Sequence, residues 1–349
     1  MKKIQLNNLT YEELEYFFES IGEERYRAQQ LFIFLHKNFG KDFQKLTNFS
    51  KKLRDKLSNV AEINRISLLK RFDSKIDETK KYLFLLEDGN IIESVLMKYT
   101  HGFTVCISTQ VGCRMGCKFC ASTKGGLIRN LYPSEMVNQI YAIEEDLNIR
   151  VSNIVLMGSG EPLDNYENVL KFLQLIHHKK GHNISFRNIT LSTCGIVPKI
   201  YALAEAEIPI TLSISLHSPF DNIRREIMPI AKRYSISELL EACKYYNNKT
   251  KRRITIEYTL VADVNDRDED LMELCKLLKD LNCHVNLIPL NPIKEFNKKR
   301  ANIKNINKFC TVLKNNGIPV TIRREMGADI DAACGQLRRR FIENGFILQ

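Results

Sequence analysis

The sequence predicts an α/β fold: a body of alternating strands and helices with a parallel sheet, preceded by a small helical module and joined to it by a β-hairpin. Three observations carry this. Apolar residues near the amino terminus recur at helical spacing, an Asp-Gly pair stands between two β-rich runs, and from about residue 104 short β-rich runs alternate with helical stretches.

Residues 1 to about 75 read as helical, with Leu14, Phe17, Phe18 and Ile21 at i, i+3, i+4, i+7 and a second apolar cluster in Leu31, Phe32, Phe34 and Leu35. In YLFLLEDGNIIESVLMKY, Asp88-Gly89 is a strong short hairpin signal and predicts strands near 81–87 and 91–98. Strand signals then follow in TVCIS, NIVLMG, NITLST, TLSISLH, ITIEYTLV, HVNLIPL and VTIRRE. Helices are expected from Pro133, from about Tyr166, from Pro198, and near 236–247, 268–281 and 303–316. Such βα repetition implies parallel strands with crossover helices, either barrel-like or doubly wound, and in both cases places function at the carboxyl ends of the strands.

At 349 residues the chain is long enough for one large domain and a small accessory one. The start MKKIQLNNLTYEELEYFF is polar and acidic where a signal peptide is apolar, and no apolar run approaches the roughly 18 residues of a membrane span, so a cytoplasmic chain away from membranes is expected. Ten cysteines are too few for a disulfide scaffold at this length. Cys194, Cys243, Cys275, Cys283 and Cys310 lie singly in apolar or helical surroundings and read as inert buried thiols. The net charge of +11 suits a polyanionic partner, although the runs Lys298-Lys299-Arg300 and Arg338-Arg339-Arg340 read as solvated faces.

Cys113, Cys117 and Cys120 form C-x3-C-x2-C just after a predicted strand. Three thiolates this close on a loop suit three irons of a cubane, leaving the fourth iron open; a zinc knuckle completed by a distant residue is the alternative. One βα unit later, Met157-Gly158-Ser159-Gly160-Glu161-Pro162 offers bare backbone for a close ligand approach and a carboxylate for an ammonium group. The cysteine spacing resembles the signature of the radical S-adenosylmethionine (SAM) superfamily, and the glycine segment resembles its SAM motif. That resemblance implies a partial (β/α)6 TIM-like barrel holding a [4Fe–4S] cluster whose open iron grips SAM.

Together with GSGEPLDNY, STCGIVP, SLHSP, NLIPLNP and REMGADIDAACGQL, the triplet makes nearly the whole chain resemble the RlmN family. The resemblance implies a methyltransferase acting on carbon 2 of an adenosine in 23S rRNA and of one beside the anticodon in tRNA. It divides the chain into an RNA-binding helical domain over 1–75, a hairpin linker over 76–98 and a catalytic domain over 99–349. It also implies that Gly160, Glu161, Ser192, Ser215, Leu216, His217 and Asn291 contact SAM, that Cys334 carries the methyl group, that Cys106 is its partner thiol, and that Glu93 accepts a proton. Two SAM per methylation, a transient Cys106–Cys334 disulfide, an electron donor such as flavodoxin or ferredoxin, and a monomer complete the expectation. Arg323, Arg324 and Lys118 lie beside these motifs and suit phosphate steering or ordinary surface charge. A carbon-8 methyltransferase similar to the Cfr enzymes, and a non-catalytic iron–sulfur RNA-binding protein, are the competing readings.

Overall fold

The computed structural model of the chain describes residues 3–337, so the Arg338-Arg339-Arg340 run and the far end of the region expected over 99–349 lie outside the described residues. Three helices, α1 (Tyr11–Ser20), α2 (Tyr26–His36) and α3 (Lys51–Val60), open the chain. Thr10 and Glu13 start α1 with a reciprocal capping box, and Ser50 caps α3 by accepting from the Leu53 amide. The expected stripe is inside: Leu14, Phe17, Phe18, Leu31, Phe32 and Leu35 are buried.

The helical expectation fails at its end. Residues Ile66–Asp73 form a strand, β1, not a fourth helix. It is an edge strand with most side chains exposed on both faces, including Lys70 and Arg71, so its apolar residues follow neither a helical nor a strand period. The hairpin is likewise no linker. β2 (Lys80–Leu86) and β3 (Ile91–Tyr99) flank a four-residue loop closed by Leu86 N–H donating to Asn90 O at 2.8 Å. β3 then pairs antiparallel with β4 (Gly102–Cys106), Val95 opposite Cys106, so the hairpin continues the main sheet.

Beyond β4 come β5 (Val151–Leu156), β6 (Ile189–Thr193), β7 (Thr211–Ser215), β8 (Ile254–Leu260), β9 (Cys283–Pro289) and β10 (Val320–Ile322), and the strands sit in the ten-stranded sheet in chain order. From β4 onward every neighbour is parallel. The crossovers carry α4 (Pro133–Leu147), α5 (Tyr166–His177), α6 (Val197–Glu205), α7 (Asp221–Ile227) with α8 (Ile236–Thr250), α9 (Asp268–Leu278) and α10 (Ile303–Asn315). Among the described residues β1 and β10 have one neighbour each, so the sheet stays open as a partial barrel of six βα units. Its core is aliphatic: Ile154, Leu191, Leu212, Ile256 and Leu287 from the strands join Ile140, Phe172, Ile200, Leu239 and Phe309 from the helices. The loops at the carboxyl ends of the strands are thereby held around one mouth.

Candidate active site

The loop after β4 carries the cysteine triplet. A short ribbon pairing Gln110–Gly112 with Leu127–Asn130 closes its base, and the Cys113 amide donates to Gly126 O at 3.0 Å. Two long-range bonds fix its tip. Lys118 N–H donates to Ile227 O at the end of α7, and Ala121 N–H donates to Gly335 O, the residue after Cys334. Ser122 Oγ adds a bond to Leu337 O at 2.8 Å. The segment bearing Cys334 is thus strapped onto the triplet, and Asn291 Nδ2 holds the Cys334 carbonyl from the end of β9 at 3.0 Å.

Cys113, Cys117 and Cys120 line one cavity at the carboxyl ends of the strands, and Gly160, Glu161, Ser192, Ser215, His217 and Asn291 line it too. Leu216 does not: its side chain lies in the main core, its amide donates to Glu257 O, and its carbonyl accepts from Arg224. The glycines have a reason the sequence did not suggest. A Cβ at Gly158 would meet Ile107 O at 2.6 Å, and one at Gly160 would meet Gln110 Cβ at 2.7 Å, so both let β5 close against the loop after β4. Glu161 is also structurally committed: one oxygen accepts from Leu163 N–H and the other from Cys194 N–H. Burial pushes its carboxyl upward and these bonds pull it back. His217 stands in a left-handed conformation, φ 55°, and its Nδ1 accepts from Thr259 N–H, tying the ends of β7 and β8 together. Burial, then Arg224, lowers its pKa to about 3, so the ring is neutral with its proton on Nε2.

A second cavity adjoins the first. Cys106, at the end of β4, lines it with Val95 and Met97, and Met157, Arg323, Asn291 and Cys334 belong to the walls of both cavities. Cys334 therefore stands between the triplet and Cys106. Glu93 is 3% exposed, and alternation along β3 puts it on the face of Val95 and Met97, two residues from the register partner of Cys106. Beneath it lies a buried polar net: Ser108 Oγ donates to Glu93 O, and Ser94 Oγ and Ser108 N–H both donate to Gln139 Oε1. All ten cysteines are free thiols.

The electrostatics suit a positively charged guest among the triplet. Burial pushes the Cys113 thiol up to about 12 and the Cys117 thiol well above its ordinary value, with neighbouring thiols adding to the rise; burial raises Cys120 too. Irons among them would hold these groups as thiolates, beyond what Arg323 in the cavity wall and the buried Arg224 supply. Three thiols on one short loop, lining one cavity, are the donor set that a cubane asks for, one thiolate at each of three corners.

Three participants escaped the sequence reading. Cys194, read as inert, lines the triplet's cavity and packs with Cys117. Arg224 of α7 is fully buried and donates to the carbonyls of Leu216, Cys194 and Ser215, which ties α7 to the ends of β6 and β7. Glu257 of β8 accepts from Ser213 Oγ and Asn286 Nδ2 and lies 3.6 Å from Arg323 Nη1. Arg323 is accordingly in the wall of both cavities, Arg324 is exposed but also lines the second, and Lys118 is exposed as a surface charge. A single arginine or glutamate in a βα repeat carries no spacing signal, so nothing in the sequence marked them.

The family model described as "Radical SAM superfamily" matches residues 107–275, and the one described as "Ribosomal RNA large subunit methyltransferase N-terminal domain" matches residues 4–63. The chain is 54% identical to the "Probable dual-specificity RNA methyltransferase RlmN" of Alkaliphilus metalliredigens, over 99% of this chain and 97% of that protein. It is equally 54% identical to the protein of that description from Clostridioides difficile, over 97% and 99%. A crystal structure of a radical SAM methyltransferase from Sphaerobacter thermophilus superposes with a TM-score of 0.91 at 42% identity, covering 96% of this chain and 99% of that one. Membership of the radical SAM superfamily brings a [4Fe–4S] cluster and SAM as cofactors, and among the described residues no helix is long and apolar enough to cross a membrane. With its triplet, its glycine-rich β5 end and its paired thiols set as described, this chain belongs to the RlmN family of radical SAM RNA methyltransferases.

Proposed function

We propose that this protein methylates carbon 2 of adenosine in 23S rRNA and tRNA, with Cys334 carrying the methyl group and Cys106 releasing it. The observation that carries the reading is the position of Cys334 in the wall between two cavities, one lined by the triplet and the other by Cys106. Bound to Cys113, Cys117 and Cys120, the cluster supplies the electron that cleaves SAM to methionine and a 5′-deoxyadenosyl radical.

The chain's own groups account for the rest. Cys334 Sγ, on the shared wall, takes a methyl group from a first SAM and gives up one hydrogen atom of that methyl to the radical made from a second. The methylene bonded to sulfur then adds to carbon 2 of the adenine, an electron-poor carbon whose C–H is too weakly acidic for a polar route. Asn291 keeps the Cys334 backbone in place meanwhile. After the adduct passes one electron to an external one-electron carrier, Glu93 takes the proton from carbon 2. Cys106, giving up its proton, attacks Cys334 Sγ; the carbon–sulfur bond breaks, the released carbon takes up a proton to become the methyl group, and the disulfide that forms is reduced by an external dithiol. Burial, and then Cys334, push the Cys106 thiol up to about 12, so it rests protonated and unreactive until the adduct exists.

Incubating protein, SAM and a reducing system with unmodified rRNA and tRNA, then analysing nucleosides by mass spectrometry, tests the assignment. The expected product is 2-methyladenosine from both RNAs. Methylation at carbon 8 would move the chain to the competing chemistry, and no methylated adenosine would end the proposal.

A further inference from the structure

At the end of the barrel opposite the triplet, where α2 of the helical module meets the sheet, lies a cavity of about 180 Å³. By the same measure one water needs roughly 10–15 Å³, so the space takes a polyatomic guest. Its lining combines two imidazoles, His36 and His182, with the cations Lys37, Arg150 and Lys179, and contains no carboxylate. The three cations are exposed at the mouth, while His36 and His182 are 0% and 2% exposed.

Each imidazole has one nitrogen engaged and one buried without a partner, Nε2 of His36 and Nδ1 of His182. Tyr141, itself buried, faces His36 Nδ1 at 3.2 Å with its hydroxyl. A buried phenol needs an acceptor for its proton, so Nδ1 accepts and Nε2 carries the hydrogen that His36 offers onward. His182 Nε2 lies 2.9 Å from both oxygens of Glu144 and donates to that carboxylate, which also accepts from Val151 N–H. With Nε2 donating to Glu144, His182 keeps Nδ1 as its buried, unpartnered nitrogen. The walls are fixed to match: Arg150 donates to the His182 carbonyl, and Phe39, with φ 53°, stacks on Tyr141. Asn183, with φ 64°, is a second lining residue in the left-handed region, which asparagine adopts readily.

We infer that this cavity is a phosphate-binding site, filled by a backbone phosphate of RNA or by free inorganic phosphate. The lone pair on His182 Nδ1 would also suit a transition metal, but three cations at the mouth and no lining carboxylate disfavour one. The inference uses no step of the methyl transfer, so nucleoside analysis and the following test fail independently.

Calorimetric titration of the cluster-loaded protein with inorganic phosphate, at fixed ionic strength, is expected to show one saturable site. Lys37→Ser/Lys179→Ser, which alters only exposed side chains, should weaken it about tenfold, and His36→Gln and His182→Gln should weaken it at least as much. Affinity for a tRNA stem-loop, measured with and without phosphate, separates the sources: competition identifies a backbone phosphate, and independence identifies free phosphate. Absence of saturable phosphate binding, unchanged affinity in the lysine variant, or chelator-reversible zinc binding in place of phosphate would overturn the inference.

Discussion

The cysteine triplet and the Cys106–Cys334 pair hold their thiols in neighbouring cavities, yet they are made in opposite ways. The triplet is local: eight residues on one loop, closed by a small ribbon, with geometry set mainly by its own spacing. The pair is assembled by the whole fold. Cys106 ends β4, and Cys334 sits on a carboxyl-terminal segment held by Asn291, by the Ala121 amide and, through Asp329, by Ser74 and Lys75 beyond β1. On the proposed function, the difference makes cofactor chemistry and methyl delivery separate devices, so substitutions should divide them.

The largest effect is expected at the triplet. Cys117→Ala should reduce iron from about four per chain to near none and abolish both SAM cleavage and methylation, as read by iron analysis and 5′-deoxyadenosine formation. Retained cleavage would mean that the ligands lie elsewhere. Cys334→Ala should abolish methylated RNA as completely while sparing the cluster and SAM cleavage, the sharpest form of the division. Loss of cleavage in that variant would merge the two devices.

Arg224 should matter for the scaffold under both. Its replacement by Met strands the carbonyls of Leu216, Cys194 and Ser215 in a dry interior, with an expected stability loss of about 3–5 kcal/mol in denaturant titration. A loss under about 1 kcal/mol would show that the carbonyls find other donors. Asn291→Ala removes one hydrogen bond to the segment bearing Cys334 and should slow methylation about tenfold, with a smaller loss of SAM cleavage because Asn291 also lines the triplet's cavity.

The smallest effect lies away from both thiol groups. Burial, and then His178, lower His36 to about 3, so the unfolded chain binds a proton there that the folded chain refuses. The stability this gives is present above pH 6.5 and lost as the pH falls, about 2 kcal/mol from pH 6.5 to 5. His36→Phe should flatten that part of the stability profile, and an unchanged slope would assign it to other groups.

The contrast between triplet and pair also marks how far the sequence could be read. Strands with one face fully buried leave alternating or short apolar runs, and capped helices leave their periods, so all seven strand signals from TVCIS to VTIRRE met strands. β1 was missed because an edge strand exposed on both faces has no burial pattern to leave. The triplet was legible because its function lives in spacing. Cys106 and Cys334 were legible only through family resemblance, since their proximity is a product of β3–β4 pairing and of a strapped segment far along the chain. Cys194, Arg224 and Glu257 left no trace, because a residue that acts through three carbonyls or one arginine is chosen by tertiary contact. At Gly158 and Gly160 the structure shows a duty the sequence did not suggest, which is to let β5 approach the loop after β4.

The central claim is that Cys334 bonds to the base and Cys106 breaks that bond. Labelled RNA incubated with the Cys106→Ala protein, SAM and reductant, run on denaturing gels and mapped by peptide mass spectrometry, tests it directly. The account predicts a stalled covalent adduct on Cys334, absent from Cys334→Ala and from the double variant. Free methylated RNA at the unsubstituted protein's yield, or an adduct on any other residue, would contradict it.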